Sequence, residues 1–139
     1  MGIAKDKLND EQKREVERLR QFVSRNRLVV RMNSTRWRAA IDALTAVPGL
    51  APPDFRVRLI TDRPDADPGG WTAGFPEGLP LYNAIEWVEL RARAAGGKDA
   101  KRAAAEFGRL VREALLAAAI PHEDGPEGIR IIGHAREKR

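Results

Sequence analysis

The sequence predicts an α+β fold, in which a small sheet of three or four mainly antiparallel strands carries helices on one face and follows an N-terminal helical extension. Residues 9–27 and 99–119 have apolar side chains at helical spacing, whereas residues 84–92 have the pattern of a strand. The order helix, helix, strand, long loop, strand, helix, strand favours this architecture. We expect residues 1–27 to form an amphipathic helix and residues 28–139 to form a single α+β domain.

The first helix has a well-defined start. Asn9 is a suitable N-cap, and Gln12, three residues later, occupies the capping-box position. The apolar stripe of this helix is narrow and consists of Val16, Leu19, Phe22 and Val23. We expect the helix to pack on its own domain, with a projecting arm or a dimerisation element as the alternatives.

Two further helices are predicted from caps and periodicity. Asn33 is the first of three candidate N-caps for a helix over about 34–46, whose buried stripe consists of Trp37, Ala40, Ile41 and Leu44. Asp99 is a candidate cap for the helix over 99–119, and Pro121 ends that helix.

The first predicted strand, residues 55–61, alternates apolar and basic side chains. This pattern places Phe55, Val57 and Leu59 inward and Arg56 and Arg58 outward. A long Gly- and Pro-rich connection over 62–83 follows, with a short strand inside 70–76 as an option. Its aromatic residues indicate that this loop folds onto the domain.

Residues 84–92 are the strongest strand in the chain because both faces carry apolar residues, as expected of a central strand. Alternation puts Ile85, Trp87 and Glu89 on one face and Glu86, Val88 and Leu90 on the other. We predict a break at Gly96-Gly97, a short last strand over 128–133 and a frayed tail over 135–139. The stretch 28–30 is too short to assign.

Composition limits the class of protein. The 139 residues are 42% hydrophobic and 32% charged, which is typical of one soluble globular domain. The absence of cysteine favours a reducing compartment. The N-terminus lacks a secretory apolar region, and no apolar run is long enough to span a membrane. We therefore expect a cytoplasmic protein that does not associate with membranes.

The net charge of +5 is concentrated near the N-terminus. Residues 1–38 hold 11 Lys/Arg against 5 Asp/Glu, and no acidic residue lies between Glu17 and Asp42. Such a stretch suits an acidic protein partner or nucleic acid, whereas the alternative is a solvated surface whose arginines pair elsewhere. The candidate partner-binding residues in it are Arg25, Arg27, Arg31 and Arg36.

No motif for catalysis or for a cofactor is present. There is no cysteine, neither serine lies in a nucleophile elbow, and the histidines, His122 and His134, lack metal-ligand spacing. No phosphate-binding glycine loop occurs. We therefore expect no catalytic residue, no metal and no cofactor. A site built on Glu86 and a histidine is the remaining enzymatic option, although Glu86 is better explained by a structural salt bridge with an arginine.

The aromatic residues of the long loop are further candidates for partner binding. Trp71 and Tyr82 are of the residue types that most often anchor protein interfaces. We expect them to anchor a partner while the N-terminal arginines attract its acidic surface.

Short motifs give the chain a family resemblance. Asn33, Thr35, Arg36 and Trp37 at a helix start, Phe55-Arg-Val-Arg58, Trp71, and Ile85-Glu86-Trp87 are similar to the bacterial family labelled domain of unknown function 6678. The resemblance covers about residues 28–133, and this chain departs from it in its Ala-rich helix and its long loop. It identifies Asn33, Trp37, Glu86 and Trp87 as structural motif residues and implies no activity.

Compact bacterial α+β domains of this kind include many immunity proteins, which neutralise a toxin encoded at the same locus, and this comparison is an analogy. We therefore expect a non-enzymatic binding protein of immunity or antitoxin type that engages an acidic partner such as a cognate toxin. The alternative is a nucleic-acid-associated protein that uses the same arginines.

Overall fold

A computed structural model describes residues 8–63, 65–93 and 99–136. The helices are α1 (Asp10–Arg25), α2 (Ser34–Thr45) and α3 (Ala100–Ala117), with a 3-10 helix at Tyr82–Ala84. The strands are β1 (Leu28–Val30), β2 (Asp54–Leu59), β3 (Ile85–Arg91), β4 (His122–Asp124), β5 (Ile129–Ile132) and β6 (His134–Arg136).

The strands form two antiparallel sheets. The larger has the order β2-β3-β5-β4, and the smaller consists of β1 and β6. This arrangement confirms the predicted α+β class, and β3 is a central strand as expected. The smaller sheet was not predicted because neither of its three-residue strands has a recognisable pattern of its own.

A bulge in β3 changes which residues share a face. Arg58 pairs with Trp87, but the next residue of β2, Leu59, pairs with Ile85, so Glu86 is the extra residue of β3. Ile85 therefore joins the core with the helices, and its predicted place beside Trp87 is wrong. Strict alternation fails here because one unpaired residue reverses the side chains that follow it.

Helices α2 and α3 pack on one face of the larger sheet, which we call the helix face. Trp37 and Leu115 from the helices are buried in one cluster with Phe55, Val88 and Leu90 from the strands. The opposite face, which we call the charged face, carries Arg56, Arg58, Trp87, Glu89 and Arg130 by the pairing register.

Helix α1 packs beside the smaller sheet. The capping box is present, because Asn9 accepts from the Gln12 amide and Gln12 returns a bond to the Asn9 amide. Leu19 forms a second buried cluster with Leu28 and Ile60. The narrow stripe of α1 is thus covered by its own domain.

Two details differ from the sequence prediction. Ala135 and Arg136 belong to β6 and pair with Val29 and Leu28, so this part of the predicted frayed tail is ordered, while 137–139 lie outside the described residues. Asp99 precedes α3 but makes no side-chain cap bond. The predicted break at 96–97 also lies outside the described residues.

The long loop after β2 folds onto the sheet, as its aromatic residues predicted. Thr72 forms an isolated bridge with Phe55, in place of the short strand considered for this segment. The rings of Phe55 and Phe75 meet edge to face with centroids 5.7 Å apart. The loop therefore covers the edge of β2 and brings Trp71 over the charged face.

Candidate functional site

The predicted arginines surround β1. Arg25 ends α1, Arg27 lies in the turn to β1, Arg31 follows β1, and all are exposed. Within the described residues, the guanidinium groups of these three arginines have no ion pair and no hydrogen bond. Their positive charge is therefore not neutralised by the described part of the fold.

Arg27 occupies an unusual backbone position. Its φ of 52° lies in the left-handed region, at the residue after the α1 C-cap, where glycine is the common choice. A glycine would relieve strain at this position. The arginine is therefore not explained by the needs of the turn.

Arg36 differs from its three neighbours because it has a structural contact. Its Nη2 donates a hydrogen bond to the carbonyl of Ala119, just beyond the C-terminus of α3. A cation at the negative end of a helix is favourable. Of the four predicted arginines, Arg36 is thus the one that also ties two elements together.

Between the arginines, β1 exposes two apolar residues. Val29 is 44% exposed and Val30 is 57% exposed, whereas Leu28 is buried. A groove of about 500 Å³ runs between β1 and Ala119–Pro121, lined also by Arg31 and Arg36. We call the exposed set Arg25, Arg27, Val29, Val30, Arg31 and Arg36 the β1 surface.

Trp71 lies in a different place, on the charged face. The guanidinium carbons of Arg91 and Arg56 lie 4.0 and 4.7 Å from its ring centroid. Arg130 stacks in the same way over Trp87, at 3.9 Å. These cation–π contacts build a layer of alternating arginine and tryptophan that takes the place of a helix on this face.

Glu89 is the centre of this layer. Its side chain is fully buried and accepts hydrogen bonds from Arg56 at 3.0 Å, from Arg130 at 3.2 Å and from the Glu127 amide at 2.8 Å. Burial by itself would raise the pKa of Glu89, but these donors outweigh it and hold the pKa below its ordinary value. Glu89 is therefore a satisfied structural anion.

The expectation that Arg56 and Arg58 point outward into solvent is wrong. The Arg56 side chain is 14% exposed, and Arg58 is buried and donates to the carbonyls of Arg63 and Ala66 in the long loop. Alternation correctly placed both arginines on the face opposite the helices. That face is not open to solvent, however, because the long loop and the buried carboxylate of Glu89 lie against it.

Tyr82 lies on the helix face rather than beside Trp71. Its ring stacks on Trp37 with centroids 5.8 Å apart. Burial raises the pKa of the Tyr82 hydroxyl, with nearby Arg38 opposing the shift and Asp42 adding to it. The two predicted aromatic anchors are therefore on opposite sides of the sheet and do not form one patch.

The motif residues have mainly structural contacts. Asn33 caps α2 by accepting from the Arg36 amide, and Trp37 is fully buried, with no partner for its indole nitrogen in the described residues. Trp87 is covered by Arg130. Glu86 is partly exposed and pairs with Arg136 at 3.4 Å, in agreement with the predicted salt bridge.

The structure brings Glu86 into no catalytic arrangement among the described residues. His122 and His134 each direct Nδ1 at a main-chain carbonyl, of Ile120 and Ile85 respectively, and neither bonds to Glu86. In the described ranges, no group of three or more His, Asp or Glu side chains is placed to hold a metal. No described helix is long and apolar enough to cross a bilayer.

Tyr82 and Asn33 share a cavity that the sequence did not reveal. It has a volume of about 320 Å³ and lies between α1, β1, the start of α2 and the 3-10 helix. His134 also lines it, although the sequence had indicated only an ordinary strand-end histidine. No local pattern could have found this cavity, because its walls come from four separate segments of the chain.

Comparison with known proteins agrees with the motifs noted above. No curated protein and no solved structure matches the chain. The model of a family of unknown function, DUF6678, matches residues 19–138, which extends the resemblance into α1 and through β6. The chain therefore belongs to this family of unknown function, DUF6678.

Proposed function

We propose that this protein is a non-enzymatic binding protein that engages an acidic protein partner through the β1 surface. The observation that carries the proposal is the pair of exposed valines, Val29 and Val30, flanked by arginines whose charge the described residues leave unneutralised. An apolar centre with a charged rim is the usual anatomy of a protein interface.

The apolar centre favours a protein partner over nucleic acid. Contacts to phosphates need donors and positive charge, which the arginines supply, but they give no role to two adjacent exposed valines. An acidic polypeptide would cover Val29 and Val30 while its carboxylates meet Arg25, Arg27 and Arg31. The left-handed Arg27 supports this, since an arginine is kept where the turn prefers glycine.

The partner class that we propose is a cognate bacterial toxin with an acidic surface, so that the protein acts as an immunity protein or antitoxin. This part rests on the analogy with small bacterial α+β immunity proteins. Binding alone would neutralise such a toxin by covering its working surface, which requires no catalytic residue.

The test is co-expression with the product of the adjacent gene, followed by co-purification and a growth assay. We expect a stable complex and protection of the cells. Charge reversal of Arg25, Arg27 and Arg31 to glutamate should abolish both. The matched control reverses Arg93, Lys101 and Arg102, which are also exposed and unpaired among the described residues, and should keep both.

A single variant separates binding from folding. Arg27→Gly removes one charge and suits the positive φ, so it should leave thermal stability equal or higher while weakening the complex several-fold. Absence of a complex with the wild-type chain, or equal losses in both triple variants, would reject the proposal. Steeply salt-dependent retardation of DNA or RNA at about 50 mM salt would support the nucleic-acid alternative instead.

A further inference from the structure

The cavity between α1 and α2 has the size and composition of a small-molecule site. Its volume of about 320 Å³ lies within the range of ligand pockets. One side is apolar and consists of Leu19, Val23, Val30 and Met32. The other side carries the polar groups of Asn33, Ser34, Tyr82, Asn83 and His134, with Arg20 also lining the cavity.

His134 is the group that points to a ligand. It is 4% exposed, and its Nδ1 lies 2.7 Å from the carbonyl oxygen of Ile85. A carbonyl can only accept, so Nδ1 must donate, and Nε2 is the remaining polar atom of the ring. Within the described residues Nε2 has no hydrogen-bond partner. The ring is nearly buried and lines the cavity, so this nitrogen is available to a donor group that enters the cavity.

The start of α2 supplies a complementary donor. The Asn33 side chain accepts from the Arg36 amide and the Asn33 carbonyl accepts from Trp37, whereas the Ser34 amide has no hydrogen-bond partner among the described residues and Ser34 lines the cavity. The first turn of α2 contains no acidic residue that would neutralise the helix dipole. Helix starts of this kind bind carboxylates and phosphates.

Arg20 adds positive charge beside this end of the cavity. Its side chain is 68% exposed and its Nη1 lies 3.9 Å from the Glu17 carboxylate, a loose pair that leaves the guanidinium able to turn towards a ligand. The Ser34 amide, the helix dipole and Arg20 therefore all favour an anion, while the wall from α1 and Met32 favours an apolar body.

We propose that this cavity binds a small carboxylic acid with an apolar body and a second, hydrogen-bond-donating group. The carboxylate lies at the Ser34 amide and Arg20, the apolar body contacts Leu19, Val23 and Met32, and the donor group bonds to Nε2 of His134. This proposal does not rest on the protein partner proposed above, although Val30 belongs to both the β1 surface and the cavity wall.

The test uses 4-hydroxyphenylacetate as the probe, because it combines a carboxylate, a ring and a hydroxyl donor. We expect saturable binding below about 10 mM, followed by amide chemical shifts confined to the segments that line the cavity. The neutral analogue 2-(4-hydroxyphenyl)ethanol should bind more weakly, since it lacks the carboxylate. Absence of saturable binding, or equal affinity for both probes, would overturn the proposal.

A backbone variant tests the helix start without disturbing the fold. Ser34→Pro removes the amide at the first position of α2, where proline is well tolerated, and Asn33 before it is already extended at ψ 179°. It should weaken the acid by at least about tenfold, the usual worth of a hydrogen bond to a charged group. Asp10→Pro makes the same change at the start of α1 and should leave binding unchanged. Equal binding by the Ser34→Pro variant and the wild type would also overturn the proposal.

His134→Asn tests the other end of the cavity. The amide of asparagine can still donate to the Ile85 carbonyl, but the acceptor at Nε2 is lost. This variant should weaken 4-hydroxyphenylacetate more than 4-methylphenylacetate, which has no donor to lose. An equal effect on the two acids would contradict the role given to His134.

Discussion

The two faces of the larger sheet are covered by side chains of opposite character, apolar on one face and charged on the other. On β3, Leu90 and Glu89 are neighbours and both are fully buried. Leu90 meets the apolar side chains of the helix face, whereas Glu89 meets arginines under a layer of tryptophan rings. Burial on the helix face is stabilising for every apolar atom, but burial of charge on the charged face is tolerated only while the charges are paired.

The largest effect is expected on the charged face. Glu89→Ala leaves Arg56 and Arg130 without their shared anion and the Glu127 amide without an acceptor, and should lower the free energy of unfolding by about 4 kcal/mol. Urea denaturation at neutral pH measures this. Glu86→Ala, which removes a more exposed pair, should cost less than about 1 kcal/mol. Similar losses in the two variants would contradict the distinction between them.

The helix face should give a somewhat smaller loss. Leu90→Ala removes a fully buried side chain from the core and should lower the free energy of unfolding by about 3 kcal/mol. Because no titratable group is changed, the same loss should appear at pH 5 and pH 7. A loss that depends strongly on pH would show that the two faces are not energetically separate.

The charge of Glu89 should make part of the stability lost on replacing this residue depend on pH. Since its pKa is lowered in the folded protein, its carboxylate stabilises the fold above the ordinary glutamate pKa, and this contribution is lost as pH falls through the lowered value. The difference in unfolding free energy between wild type and Glu89→Gln should therefore shrink below about pH 4. Chemical denaturation at stepwise lower pH measures it, and a constant difference would contradict the prediction.

The smallest of these effects concerns the cover of the charged face. Trp71→Ala removes the ring that contacts Arg56 and Arg91 and should cost about 1 kcal/mol, because these contacts are only partly desolvated. Trp71→Phe should recover part of it, since a phenyl ring keeps a weaker π face. Thermal unfolding of the two variants tests this, and equal losses would argue against a cation–π contribution.

The helix face was predictable from the sequence because the apolar side chains buried on it recur at the spacing of a helix or a strand. The stripe of α2 with Trp37 and Leu44, and the inward placing of Phe55, were both obtained from spacing alone. The charged face was not predictable, because an arginine on an alternating strand looks the same whether it meets water or a buried carboxylate. Arg58 was expected to be exposed for this reason, and Glu89 was not singled out.

The candidate sites were predictable only in part. The acid-free run of arginines led to the β1 surface, but the exposure of Val29 and Val30 depends on a pairing with β6 that has no local signal. The cavity was missed because His134 and Asn33 are about a hundred residues apart in the chain. Contacts of that range follow from the fold rather than from spacing.

The pairing of β1 with β6 also determines when the β1 surface and the cavity can form during synthesis of the chain. Leu28 is paired with Arg136, so β1 has no partner strand until the last of the described residues has been synthesised. Closing so long a loop is slow and its entropy cost is met late in folding. A ribosome-bound chain would therefore display helix α1 and its arginines well before it displays a finished β1 surface or cavity.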